Sequence, residues 1–228
     1  MPGFEQAWTQ ASPVGGWLTR EQGAALWAAA AGLPRGGLAL EIGSHQGRST
    51  IVLAAATRER GARVIAVDPF VEGRLFGGSS TRLRFEANLD AAGLREQVRL
   101  IPERSTELRP AWDEPLAMLY IDGKHDYWTV RDDLRWAVHL ADGAPVLVHD
   151  AFSSIGVTLA LLATVLPGNR LRYDGRTGSL ARFTVAAPSA RDRLRMLAQL
   201  PWFARNVAIK VVLRLARVVG YRGTPDPY

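Results

Sequence analysis

Two short segments of this 228-residue chain put acids and imidazoles where chemistry can be done: Asp122-Gly123-Lys124-His125 and His149-Asp150. Each follows an apolar run of strand length, Leu116–Ile121 and Pro145–Val148, so two carboxylates and two histidines converge on neighbouring strand ends. An imidazole titrates at about pH 6.5 when unperturbed, and one so placed can take a proton from a hydroxyl. His125 is the first candidate for such a base and His149 the second. A third segment, Leu40-Glu41-Ile42-Gly43-Ser44-His45-Gln46-Gly47-Arg48-Ser49-Thr50, reads as a strand entering a glycine-rich turn and then a helix over Thr50–Arg60. Glycines at 43 and 47 allow a sharp turn and close approach to a ligand, and the helix start offers unpaired N–H groups. The spacing G-x-x-x-G is neither the dinucleotide fingerprint G-x-G-x-x-G nor a P-loop, so the glycines alone leave a ligand cradle and a plain tight turn both open. Asp68, ending Val64-Ile65-Ala66-Val67, favours the cradle, because a carboxylate there is placed to accept both hydroxyls of a ribose.

These residues need a scaffold, and the chain supplies a repeating one. Strand-length apolar runs fall at Leu38–Ile42, Arg63–Val67, Val98–Ile101, Leu116–Ile121 and Pro145–Val148, with a later pair near Leu171–Tyr173 and Leu180–Val185. Helical segments separate the first five, which predicts an α/β fold: a Rossmann-like, doubly wound, mostly parallel sheet covered on both faces. Ligands of such sheets bind beyond the carboxyl ends of the strands, where the strand order reverses, and that is where Glu41, Asp68, Asp122 and Asp150 fall. Ahead of the sheet, Thr19 and Gln22 have capping-box spacing before a helix ending near Ala31. The division expected is an N-terminal helical cap over 1–37, the α/β domain over 38–187 and a helical extension over 188–228.

Composition narrows the function. The chain is 47% hydrophobic and 22% charged, an ordinary globular balance, and with no cysteine it has no disulfide, thiol nucleophile or Cys-based zinc site. The net charge of +6 belongs to the tail: residues 188–228 hold eight bases against Asp192 and Asp226, which leaves the body with 20 charges of each sign. A neutral body offers no basic face for a nucleic-acid backbone, so no nucleic-acid partner is expected. The uncharged run Ile155–Asn169 is too short to cross a bilayer, and the first residues carry no secretion signal, so a cytoplasmic location is expected.

Taken together, Glu41-x-Gly43-x-x-x-Gly47, Asp68, the Ile121-Asp122-Gly123-Lys124-His125-Asp126-Tyr127 segment and His149-Asp150 resemble the class I S-adenosylmethionine (SAM) dependent methyltransferases. The Ile121–Tyr127 segment resembles that of small O-methyltransferases with I-D-G-x-H-x-Y after the fourth strand, and with the glycine loop the likeness covers about residues 38 to 152. The resemblance implies SAM as cofactor, with Gly43, Ser44 and Gly47 along its methionine part and Asp68 on the ribose. It places Glu103-Arg104-Ser105 at the adenine and Glu41, Ser49 and Asp122 within the same cofactor site. Ser105 could instead cap the helix that follows it. Relatives of this kind methylate sugar hydroxyls, including those of methylmannose polysaccharides, which implies a small-molecule or saccharide acceptor, a mannoside among them. Some of them hold magnesium at positions matching Asp122, His149 and Asp150. His149 departs from that pattern, since magnesium prefers oxygen donors; magnesium held by the two carboxylates with waters, a manganese-like ion, and no ion with His149 as a base all stay open.

Other classes have less support. Relatives that methylate exocyclic nitrogens carry an Asn/Asp-Pro-Pro-aromatic run after the fourth strand, which Asp122-Gly123-Lys124-His125 is not. Methylation of a phenol or amine, or a non-catalytic SAM-binding scaffold, is the alternative. The tail reads as helices broken at Pro201, with Lys210, Arg214 and Arg217 opposite Val207, Ala208, Val211, Val212, Leu215 and Val219. Two readings follow: a solvated basic face over a stripe packed on the core or on a second copy in a homodimer, or a peripheral contact with an anionic membrane. His45 is expected on a solvent-facing loop, His139 as a partly buried spacer, and Trp128 and Trp136 in the core.

Overall fold

The computed structural model describes residues 2–73 and 77–218. Helices α1 (Pro2–Ala11) and α2 (Arg20–Ala31) precede an alternating series: β1 (Leu38–Ile42), α3 (Arg48–Arg58), β2 (Arg63–Val67), α4 (Ser79–Ala91), β3 (Val98–Ile101), α5 (Ser105–Leu108), β4 (Met118–Ile121), α6 (Tyr127–Asp133), β5 (Pro145–Val148) and α7 (Ile155–Thr164). The hairpin β6 (Leu171–Thr177) and β7 (Leu180–Val185) then closes the sheet, and α8 (Ala190–Leu197) and α9 (Leu200–Val218) follow. The seven strands lie in the order β3-β2-β1-β4-β5-β7-β6, with only β7 pairing antiparallel to both its neighbours. The predicted Rossmann-like sheet is thus the observed one, and its strand order reverses between β1 and β4, which pair directly.

Alternation along buried strands explains the layers. In β4, Met118 and Tyr120 enter an apolar cluster with Leu26, Ile51, Leu53 and Phe85, while Leu119 and Ile121 face the opposite cluster with Trp136, Phe152 and Phe183. Both sides of the strand are dry, which is why it reads as unbroken apolar sequence. β4 starts at Met118 rather than Leu116, because Leu116 makes only an isolated bridge to Leu140.

The N-terminal cap is fastened to the sheet's first crossover helix. Thr19 and Gln22 form the expected reciprocal capping box at the start of α2. Arg48, in the first turn of α3, donates to the carbonyls of Ser12, Val14 and Leu18, tying down the α1–α2 connection.

In the tail, Pro201 sits in the first turn of α9, where its missing N–H leaves no bond unmade. The basic side of α9 is divided: Arg214 is exposed, as expected, and Lys210 is not. Asn206 and Lys210 point inward, donating to the carbonyls of Phe152 and Ser153 at 3.1 Å each, while Val211, Val212 and Leu215 are exposed. The carbonyls of Phe152 and Ser153 thus draw Asn206 and Lys210 toward the body. Val219 and the Arg217 side chain lie outside the described residues. Among the described residues no helix is long and apolar enough to cross a membrane.

Candidate active site

Parallel ladders bring the four chemistry-bearing segments to one edge. Gly43 N–H donates to Val67 O, Asp122 N–H to Ile42 O and His149 N–H to Ile121 O, each within 2.9 Å, so the sheet pairing runs one residue past β1, β4 and β5. Gly43 is required here on two counts: its φ is +86°, and a Cβ would lie 2.4 Å from the carbonyl oxygen of Asp122. The close approach of the two loops, rather than a ligand, is the visible reason for that glycine.

Several residues expected along the cofactor are engaged with the protein. Glu41 is fully buried beneath the loop, its two carboxylate oxygens taken by the hydroxyls of Ser49 and Thr50 at 2.5 Å each. Burial pushes the Glu41 carboxyl up to about 7 despite those bonds. This pair fastens α3 to β1 and is not presented to the cleft. Asp68 accepts backbone N–H bonds from Ser44, His45 and Phe70 at 2.9–3.0 Å and so holds the glycine loop in shape while staying half-exposed. Ser44 lies buried in that loop, and Gly47, at φ +94°, turns the chain into α3. Ser105 neither caps α5 nor faces open space: its hydroxyl donates to Asp133 at 2.5 Å. The other oxygen of Asp133 has no hydrogen-bond partner, and burial raises that carboxyl to about 7.

The second half of the site is a cluster of four ionisable groups. Asp122 Oδ1 stands 3.3 Å from His149 Nδ1 and 3.8 Å from His125 Nε2; Asp150 Oδ2 stands 3.5 and 3.4 Å from the same two atoms. Each carboxylate is aimed by a hydroxyl on its other oxygen, Tyr120 on Asp122 and Ser153 on Asp150, both at 2.9 Å. Asp150 and Phe152 adopt left-handed backbone, at φ 54° and 58°, and this bend after β5 turns the Asp150 side chain back over the strand ends. Burial works against charging either imidazole, but the two carboxylates outweigh it: His125 is raised above its usual value and His149 to about 9. Burial alone would raise Asp150, and the two imidazoles hold it well below the usual carboxylate range.

The two histidines differ in access. His149 is only 4% exposed, whereas the His125 side chain is 43% exposed at the mouth of the cleft. Ligand atoms of Asp122, His125 and Asp150 all lie within 4.8 Å of one another, a convergence that fits one divalent cation. That set contains His125 where the sequence comparison implied His149, whose Nδ1 instead abuts the two carboxylates from the buried side.

Two participants were not legible as site residues. Tyr120 reads as a strand apolar and Gln22 as a helix cap, and it takes the topology to bring both beneath the cluster. Gln22 Oε1 lies 3.2 Å from His149 Nε2, and its Nε2 donates to Ser179. His45 is half-buried with its ring 5.5 Å from that of Trp17, not turned to solvent, and His139 is partly buried as expected. Trp136 is core, but Trp128 is 70% exposed at the start of α6.

A sheet of this order, with a glycine loop after β1 and acids after β2, β4 and β5, defines the class I methyltransferase fold. Residues 40–151 match the family model described as a methyltransferase domain. An O-methyltransferase from Bacillus cereus, solved in complex with SAH, is 17% identical, with a TM-score of 0.59 over 82% of this chain and 91% of that one. The O-methyltransferase TomG from Streptomyces achromogenes, involved in tomaymycin synthesis and solved with SAM, is 19% identical, with a TM-score of 0.57 over 82% and 89%. The SAH-bound methyltransferase PaMTH1 of Podospora anserina gives 13% and 0.63 over 81% and 88%. At these identities the likeness is one of fold.

Proposed function

We propose that the protein is a SAM-dependent O-methyltransferase acting on a hydroxyl of a saccharide or other small glycoside, with His125 as the base. The observation that carries the reading is the convergence of Asp122, His125, His149 and Asp150 at the β1/β4 switch point, beside a glycine loop held by Asp68. SAM-bound and SAH-bound neighbours of the same fold support the cofactor.

SAM, when bound, supplies an activated methyl carbon, and transfer then needs an in-line oxygen held at about 3–3.5 Å. The chain's own residues must expose that oxygen. His125 Nε2, at the mouth, accepts the hydroxyl proton, and Asp150 and Asp122 steady the imidazolium that forms. His149, raised to about 9, keeps its charge at neutral pH and offsets the two carboxylates from behind. Trp128, exposed one residue after Tyr127 and edge-on to its ring, offers a flat apolar wall suited to a sugar face.

A second reading shares the same atoms. Asp122, His125 and Asp150 would hold a divalent ion that supplies Lewis acidity to the acceptor hydroxyl, and mixed nitrogen and oxygen donors suit manganese better than magnesium. The discriminating experiment measures transfer of labelled methyl from SAM to a panel of glycosides, mannosides included, before and after chelation. Label in a glycoside hydroxyl supports the reading, and label only in phenols or amines, or in nothing, overturns it. A rate lost to chelator and restored by manganese selects the ion-assisted form.

A further inference from the structure

Helix α9 turns an apolar stripe away from the rest of the protein. Its inward side holds Trp202, Asn206, Ile209 and Leu213, all buried or half-buried. At about 100° per residue, Ala204, Ala208, Val211, Val212 and Leu215 share the opposite side within an arc of about 100°. All five are exposed, and Val211, Val212 and Leu215 are so at 51%, 63% and 61%. A single exposed valine needs no explanation, but a stripe about three turns long on one helix does.

Charge selects what covers the stripe. The whole of Leu200–Val218 carries Arg205, Lys210, Arg214 and Arg217 and no acid. On the same helical wheel Arg205 borders the stripe on one edge and Arg214 on the other, both exposed. Lys210 is used differently: with Asn206 it binds the carbonyls of Ser153 and Phe152, which fixes the roll of the helix and keeps the apolar side outward. A second copy laid stripe to stripe would set base against base. A strip about 17 Å long and about 10 Å wide also falls well short of the roughly 800 Å² per partner that a stable dimer buries. An anionic lipid surface suits both parts, because its headgroups take the flanking arginines while the apolar stripe sinks into the boundary beneath. Helix α7 begins two residues past Ser153, and its Ile155 and Leu159 are also exposed, at 56% and 47%.

We propose that α9 seats the protein on an anionic membrane surface, with Ala208, Val211, Val212 and Leu215 in the acyl boundary and Arg205 and Arg214 among the headgroups. The helix lies on the bilayer and does not cross it, since among the described residues no helix is long and apolar enough to span. The seat is close to the strand-end cluster, because Ser153, whose carbonyl holds Lys210, also donates its hydroxyl to Asp150. It goes beyond methyl transfer and stands whatever the acceptor is.

The test pellets the full chain with vesicles of phosphatidylcholine alone and of phosphatidylcholine with phosphatidylglycerol. Saturable pelleting with the anionic vesicles is expected, much reduced with the uncharged ones and in high salt. Arg214→Gln should weaken it about fivefold, the share of one base near such a surface. The double change Val211→Gln and Leu215→Gln should weaken it at least about tenfold. Both side chains are exposed, so the melting temperature of that variant should match the wild type's. No pelleting with anionic vesicles, equal pelleting with uncharged ones, or pelleting that the double variant keeps overturns the proposal. Sedimentation velocity without vesicles covers the other occupant: a wild-type dimer that the double variant turns into monomer assigns the stripe to a second copy and overturns it as well.

Discussion

Gln22 Oε1 accepts from the Thr19 backbone N–H at 2.9 Å and faces His149 Nε2 at 3.2 Å. Because a backbone N–H can only donate, the amide orientation is fixed, and His149 Nε2 must carry its proton toward Gln22. His149 therefore turns Nδ1, and not Nε2, to Asp122 and Asp150. The capping box of an N-terminal helix thus sets the orientation of a ring 127 residues away.

Replacing that oxygen separates its structural and chemical parts. Gln22→Met strands the buried His149 Nε2 donor and the part-buried Thr19 N–H and should cost about 1–3 kcal/mol of stability, with turnover falling about tenfold at unchanged SAM affinity. Gln22→Glu, which keeps an acceptor, should recover most of the turnover. Urea unfolding and steady-state kinetics read the two effects, and equal turnover in the Met and Glu variants would remove Gln22 from the mechanism.

The rings behind the reaction should differ in kind. His125→Gln should slow turnover by about 10²-fold, as loss of a general base does. His149→Gln leaves Asp122 and Asp150 facing each other without their buried cation, so it should lose stability as well as rate. Thermal melts beside kinetics distinguish the cases; a His125→Gln enzyme as fast as wild type would reassign the base.

The pH profile follows from the same geometry. A base works when unprotonated, and Asp122 and Asp150 raise His125 above its usual value, so kcat/KM should climb with pH through a midpoint above 6.5. Asp150→Asn removes one of those charges, and its rising limb should move to lower pH. A limb that stays in place would show that another group controls it.

Stability should carry the mark of Glu41. Its carboxyl stands at about 7 when folded against an ordinary value of 4.5, so the unfolded chain releases the proton first and stability falls as pH rises across that window. Above it the loss levels off, at about 3 kcal/mol for this group. Glu41→Gln should flatten the slope of unfolding free energy between pH 5 and 7, and an unchanged slope would place the proton elsewhere.

Gly43→Ala should be among the most disruptive single changes. The new Cβ would meet the Asp122 carbonyl oxygen at 2.4 Å on a φ of +86°, and the strain of that backbone alone is about 1–2 kcal/mol. Loss of SAM binding together with a lowered melting temperature is the expected result, and a stable variant with normal binding would contradict the loop packing.

The sheet was legible because each strand is buried on both faces and so prints as an unbroken apolar run between helices. The acids at strand ends were legible for the same reason: a polar residue ending such a run has one place to go. What sequence could not show was how side chains spend their hydrogen bonds. Glu41 and Ser49 look alike as cofactor ligands or as mutual partners, and only the depth of β1 beneath α3 decides for the second. Ser105 and Asp133 find each other across α5 and α6 with no spacing rule to announce it. On α9, periodicity separated a basic side from an apolar one but could not say which would face the body; the carbonyls of Phe152 and Ser153 settle that.

The four-group cluster is the proposed place of methyl transfer. A single-turnover experiment with methyl-labelled SAM and a glycoside acceptor tests this most directly, comparing wild type with His125→Gln at matched SAM occupancy. Label in an acceptor hydroxyl is expected for the wild type, with a transfer step about 10²-fold slower in the variant. A wild-type chain that retains no SAM, or two proteins that transfer at the same rate, would contradict it.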